Sequence, residues 1–103
     1  MFFLLFEYRL EVWLQRLAPG AETPWHRHEC EEAVVVLAGR GTCEARDERA
    51  TFGPDSTLIV PPGAAHRIVN TGDVEMVLLA SLSVSPVVVE SPERDPIPLP
   101  WSE

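Results

Sequence analysis

The feature that most constrains this chain is its punctuation. Runs of about five to eight β-branched or aromatic residues are broken again and again by Gly, Pro, Asp or Asn, and helical periodicity is weak almost throughout. Residues 8–17 alternate, with Leu10, Val12 and Leu14 set against Glu11, Trp13 and Gln15, and stop at Pro19-Gly20. Residues 32–37 are a continuous apolar strand closed by Gly39-Arg40-Gly41. Residues 42–46 return, and Arg46-Asp47-Glu48-Arg49 reads as a polar turn. Residues 50–52 form a short strand, 57–60 end at Pro61-Pro62-Gly63, 66–70 run into Thr71-Gly72-Asp73, and 74–84 form a long strand. Short strands with turns at this spacing predict an all-β sandwich or barrel.

The chain is 103 residues long, room for one domain, and no internal repeat is visible. The expected body is residues 1–85. From residue 86 the composition shifts: Pro86, Pro92, Pro96, Pro98 and Pro100 exclude a regular helix or a central strand. Residues 86–103 are therefore expected to be a Pro-rich tail or edge strand, with 87–90 as the edge strand and Trp101 pinning the remainder. The apolar start, residues 1–6, lacks a basic flank and runs into Glu7, Arg9 and Glu11, so it reads as a strand and not as a secretory signal.

Charge narrows the partners. Sixteen acidic and eight basic side chains leave a net charge of −8, which disfavours nucleic acid and anionic lipid. Every basic residue is arginine, so no mechanism built on a lysine is available. No apolar run approaches the ~20 residues of a membrane-spanning helix, and the expected compartment is the cytoplasm. Cys30 and Cys43 fall on what looks like the two arms of a hairpin turning at 39–41, which places them roughly 20 Å apart at ~3.3 Å per residue. Two free thiols are expected, as a reducing compartment allows.

The chemistry concentrates between Gly20 and Gly39. His26 and His28 are two apart, so on an extended backbone both imidazoles project to one face. Glu32 keeps that parity if the backbone between stays extended, whereas Glu29 and Glu31 read as solvated. Two imidazoles and a carboxylate on one face suit a first-row transition metal. His66, the only other histidine, opens a strand after a stiff Pro-Pro-Gly turn and is the natural fourth ligand from a neighbouring strand. Trp25 and Arg67 have the opposite parity and should point away from the site; Asn70 should cap a turn. Cys30, between two candidate ligands, is expected to be inert. Nothing places Tyr8, the single tyrosine, at the site.

This pattern resembles the cupin superfamily, in its small single-domain form. Gly20, His26, His28, Glu32 and Gly39 match the first cupin motif, G-x5-H-x-H-x3-E-x6-G, at every spacing. Pro61, Gly63, His66 and Asn70 match the second, G-x5-P-x-G-x2-H-x3-N, with Asp55 in place of its first glycine. Aspartate tolerates left-handed turn geometry better than most residues, so this departure costs little. The resemblance implies an antiparallel jelly-roll barrel of roughly six to eight strands. It also implies that His26, His28, Glu32 and His66 hold one divalent manganese, iron, nickel, copper, cobalt or zinc ion. Cupins of this size commonly dimerise through their N-terminal strands, and the apolar residues 2–6 are consistent with a homodimer.

The fold alone does not name the reaction. With all three histidines assigned to metal and no lysine, a metal-free sugar epimerase or a Ser–His or Cys–His nucleophile is a poor match. What remains is a metal-dependent enzyme acting on a small organic molecule, foremost a dioxygenase-type oxidoreductase in which Glu32, if it detaches, serves as general base. The alternatives are a lyase or isomerase using the ion as a Lewis acid, and a non-catalytic module that binds a metal or a small ligand. The absence of a helix-turn-helix segment disfavours direct transcriptional regulation. A barrel of this size, lined mainly by Val, Leu, Met, Phe and Trp, favours a compact, partly apolar substrate.

Overall fold

The structure, a computed structural model, describes residues 3–7, 10–84 and 87–99, with the backbone alone described for 3–7. Its strands are β1 (Phe3–Glu7), β2 (Leu10–Leu17), β3 (Glu32–Ala38), β4 (Gly41–Ala45), β5 (Glu48–Phe52), β6 (Thr57–Val60), β7 (Arg67–Asn70), β8 (Met76–Leu82), β9 (Val89–Glu90) and β10 (Pro96–Ile97). No helix occurs among the described residues. One sheet runs β1-β2-β8-β3-β6, a second β5-β4-β7, and a third pairs β10 with β9; every pairing is antiparallel. This is the jelly-roll, double-stranded β-helix arrangement that the turn spacing and the motifs predict.

The core lies between the first two sheets. Val34, Val36, Met76, Leu78, Ala80 and Leu82 come from β3 and β8, and Phe52 and Ile68 face them from the smaller sheet. Met76, Leu78 and Ala80 are buried in alternation with Val77, Leu79 and Ser81, as period-2 patterning requires. In β2 the inward set is the less obvious one. Glu11 and Trp13 are buried, while Leu10, Val12 and Leu14 face outward. Buried Glu11 is satisfied: its Oε2 accepts from Trp13 Nε1 at 2.7 Å, and its Oε1 accepts from the Val87 amide at 3.3 Å.

One expected element is absent. Residues 32–37 and 42–46 do not form a hairpin: β3 pairs with β6 and β8, and β4 with β5 and β7. At Gly39 the chain crosses from one sheet to the other, with φ at +89° and a register shift just before it between Val36 and Ala38. A Cβ there would lie 2.9 Å from the Met76 Cα, so the corner needs glycine for space as well as for dihedral freedom. The cysteines are both free as expected, but not as opposite arms of one ribbon: Cys43 lies on β4, while Cys30 is buried in the segment that leads into β3.

Residues beyond 86 are less of a tail than the prolines suggest. Val89–Glu90 is a strand, but it joins neither large sheet: the chain doubles back and Pro96–Ile97 pairs with it as a separate two-stranded ribbon. Val87 and Val89 enter the main core, and Ile97 and Leu99 pack against it. Trp101 and Tyr8 lie outside the described residues.

Candidate metal centre

Residues 18–31 connect β2 to β3 and cross the mouth of the sandwich without joining a ladder. Three isolated bridges hold them: Glu22 to Val69, His26 to His66 and Arg27 to Glu90. The His26–His66 bridge is reciprocal, with N–H to carbonyl distances of 3.0 and 2.9 Å, and it brings the two cupin motifs together through their own backbones. The Gly63 amide donates to the His28 carbonyl at 2.8 Å, so the Pro61-Pro62-Gly63 turn fixes the backbone of a second histidine. Glu32 opens β3 and is paired on both sides, with Val60 of β6 and Leu82 of β8.

The outcome is a cluster. Ring nitrogens of His26, His28 and His66 approach within 4.8 Å of one another. Ring centroids are 4.2 Å apart for His26–His66, 5.2 Å for His28–His66 and 6.0 Å for His26–His28. Glu32 Oε1 lies 3.0 Å from His28 Nε2 and 3.5 Å from His66 Nε2. His28 and His66 are each 1% exposed and Glu32 7%. All four residues singled out from the sequence are thus in one place.

The tautomers follow from the partners. Nδ1 of His26 meets the Pro24 carbonyl at 2.7 Å, that of His66 the Ala64 carbonyl at 2.8 Å, and that of His28 the Cys30 carbonyl at 3.2 Å. A carbonyl oxygen only accepts, so each Nδ1 carries a hydrogen and each ring presents Nε2 to the centre. Neutral His28 would then place a lone pair 3.0 Å from a carboxylate oxygen. A positive charge must lie there, either a proton on the ring or a metal ion between the groups. Backbone-oriented imidazoles with free Nε2 atoms converging beside a carboxylate are what a transition metal requires, and the residues present fit one.

Electrostatics agree. Burial, with His66 beside it, pushes His26 down to about 4, so its ring stays neutral and ready to ligate. Burial alone would raise Glu32, but hydrogen bonds from His28 and His66 outweigh it and hold the carboxyl at about 2. Burial works against a proton on His28, yet the Glu32 carboxylate prevails and raises it.

The surrounding residues sort as their parity predicts. Arg67 turns outward, bonded to Glu44 and Glu22, with its guanidinium 5.2 Å from the Trp25 ring centre. Asn70 is buried and organises the turn before β8: it donates to the Leu17 and Val74 carbonyls and accepts from the Gly72 amide. Cys30 is buried, its thiol pushed up by burial, and its Sγ is 3.7 Å from His28 Nδ1. Glu29 and Glu31 are exposed.

Beside the cluster lies a cavity of about 190 Å³, lined by Trp13, Val34, Ile68 and Leu78 together with His26, Glu32 and His66. Among the described residues, no arginine lines it. Sequence reading missed three contributors: Trp13, because its strand carries apolar residues on both faces; Thr23, whose hydroxyl accepts from the Ile68 amide at 2.9 Å; and the C-terminal residues discussed below.

The cupin domain family matches residues 13–83, more than half the chain. The protein is a cupin. This cupin is 38% identical to auxin-binding protein 1 of Arabidopsis thaliana over 89 residues, which cover 78% of this chain and 45% of that protein. It is 33% identical over 79 residues to the 1-hydroxy-2-naphthoate 1,2-dioxygenase of Nocardioides sp. (strain KP7), covering 77% of this chain and 20% of the enzyme. The chain therefore spans less than half of either relative. Among solved structures it resembles a cupin 2 conserved barrel domain protein from Salinispora arenicola. That likeness has a TM-score of 0.73 at 22% identity, over 82% of this chain and 75% of that one, and it is a likeness of fold.

Proposed function

We propose that this cupin holds one divalent first-row transition metal on His26, His28, Glu32 and His66, and uses it to bind and oxidise a compact organic molecule with dioxygen. The observation that carries the metal reading is the set of three Nδ1–H groups tied to carbonyls, which leaves three Nε2 lone pairs beside one carboxylate. Bound there, the ion supplies Lewis acidity and, if redox-active, electron transfer.

The chain's own residues supply the rest. The three carbonyl anchors hold the imidazoles in register, so no reorganisation is needed on loading. Three neutral imidazoles and one carboxylate around a divalent ion leave a net charge of about +1. With no arginine among the described residues of the cavity wall, the centre itself would be the countercharge for a monoanionic ligand such as an enolate or phenolate. Glu32, whose Oε1 lies beside His28 and His66, would be the group of this chain placed to accept the proton of such a ligand. Trp13, Ile68 and Leu78 keep water from the reacting atoms. An apolar cavity of ~150 Å³ accommodates a benzene-sized ligand, so about 190 Å³ suits one ring with small substituents. The named dioxygenase relative supports oxidation. The auxin-binding relatives support a second reading, a module that binds a small ligand without turnover.

Elemental analysis with oxygen-uptake measurements separates the two. The expected result is near-stoichiometric iron, manganese, copper or nickel, with uptake on monocyclic catechols or diketones. Zinc with no uptake on any of these, or on flavonols or 1-hydroxy-2-naphthoate, overturns oxidation and leaves the binding module.

The partner we assign is a second copy of the chain, seated on the outer face of the five-stranded sheet. Val12, Leu14, Val35 and Leu79 are half-buried there, beside Leu10, Leu37 and Ile59 at 42%, 51% and 68% exposure. An apolar face of this breadth is rarely left to water. Sedimentation equilibrium should give a dimer, and Ile59→Glu a folded monomer whose melting temperature, unlike that of the wild type, no longer depends on protein concentration. A monomeric wild type would remove the assignment.

A further inference from the structure

The cavity has one wall that the cupin motifs do not supply. Trp13, Val34, Ile68, Leu78 and Ala80 lie inside the family-matched segment, residues 13–83, but Val89, Ile97, Pro98 and Leu99 lie beyond it and line the same cavity. Val89 and Ile97 are on the β9–β10 hairpin and Pro98 and Leu99 follow it directly; this C-terminal segment packs on the core through Val87 and Val89.

The hairpin is fixed to the metal-binding loop by a buried arginine. Arg27, between His26 and His28, is 7% exposed. Its amide donates to the Glu90 carbonyl at 2.7 Å, and the Glu90 amide donates back at 2.9 Å. Its Nη1 binds Glu90 Oε1 at 2.8 Å, and its Nη2 pairs with Glu29. At the start of the hairpin, the Val87 amide donates to buried Glu11. Both approaches to the hairpin are therefore tied to residues whose neighbours in sequence line the cavity, Trp13 on one side and His26 on the other.

From this geometry we infer that the β9–β10 hairpin is the specificity wall of the cavity: Val89, Ile97 and Leu99 set the size of ligand admitted, and Arg27–Glu90 holds that wall in register with the histidines. The inference rests on reading the cavity as the ligand site, but not on which metal is bound or whether oxidation occurs. Ile97 and Leu99 are only partly buried and lie outside both large sheets, so their side chains can change size, and with it ligand choice, while the histidine cluster stays constant.

The test uses the full chain as purified, and again after chelation, with benzene and naphthalene as probes. Binding is followed by the methyl resonances of Ile68 and Leu78. Wild type should bind benzene at least about tenfold more tightly than naphthalene, since extra apolar bulk at a fitted wall is discriminated by that order. Ile97→Ala with Leu99→Ala should cancel or reverse the preference while leaving metal content unchanged. If the double variant does not unfold cooperatively, Ile97→Ala alone makes the comparison at a half-buried position. An unchanged probe ratio overturns the inference, as does the absence of binding by either probe in every protein. Because the probes do not coordinate metal, failure of the metal reading would instead appear as a missing ion with the probe preference intact.

Discussion

His66→Ala should emerge from purification with little or no bound metal, and with a melting temperature lower by about 15 °C or more. The ring supplies one of three converging Nε2 atoms, and its Nδ1 is committed to the Ala64 carbonyl. No other histidine remains to replace it. Metal that binds only the folded state stabilises it by about 4 kcal/mol when its concentration is ~1,000-fold above Kd. For a domain of this size each kcal/mol moves the midpoint by roughly 4 °C. Elemental analysis and calorimetry, each with and without chelator, measure both effects. In the variant the chelator should no longer matter; a variant that retains one ion per chain would take His66 off the ligand list.

The same competition gives a pH dependence. His28 is raised above its ordinary value by Glu32, so as pH falls its proton contends with the metal before one on His26 or Glu32 does. His26, at about 4, and Glu32, at about 2, stay deprotonated long after. Affinity should hold above the range in which His28 titrates, weaken as pH falls through it, and collapse near pH 4 when His26 also takes a proton.

Gly41→Ala should be the most damaging single methyl addition near the corner between the sheets. A Cβ at residue 41 would lie 2.1 Å from the Val69 carbonyl oxygen and 2.5 Å from Met76 Cε. The methionine end can swing aside, but the carbonyl belongs to β7, whose ladder with β4 includes the Gly41–Asn70 and Thr42–Val69 pairs. Displacing β7 moves Asn70 and the residue that leads into that strand, His66. The expected cost is about 3 kcal/mol or more in denaturant unfolding, with a matching loss of metal affinity. Gly53→Ala is the control: its Cβ would meet nothing within 4 Å, so a change within about 0.5 kcal/mol is expected. A Gly41 variant as stable as the control would mean that β4 and β7 separate more easily than their spacing implies.

The site was the most legible part of the sequence, and the reason is local. His26 and His28 share a face because the backbone between them is extended, and a two-residue spacing records that directly. Asp55 in the glycine position of the second motif does adopt a left-handed φ, +67°, as its residue type allows. Strand positions were legible for the same reason, and β6 falls at residues 57–60 as its flanking breaks predict. What the sequence did not disclose depends on distant partners. Gly39-Arg40-Gly41 is equally compatible with a hairpin and with a corner between sheets, and the choice rests on what β6, β7 and β8 offer each arm. Both faces of β2 carry apolar side chains, so alternation alone could not say that Glu11 and Trp13 turn inward. The β9–β10 pair is too short for any periodic signal, and only its contacts with Arg27 and the core give it a place.

The candidate ligands come from both halves of the sandwich: Glu32 begins a strand of the larger sheet, and His66 leads into a strand of the smaller one. An ion held by both would be a rivet through two plates. Prising the plates apart and letting the ion go would then be coupled, and the rate at which metal leaves would report how often this protein breathes open.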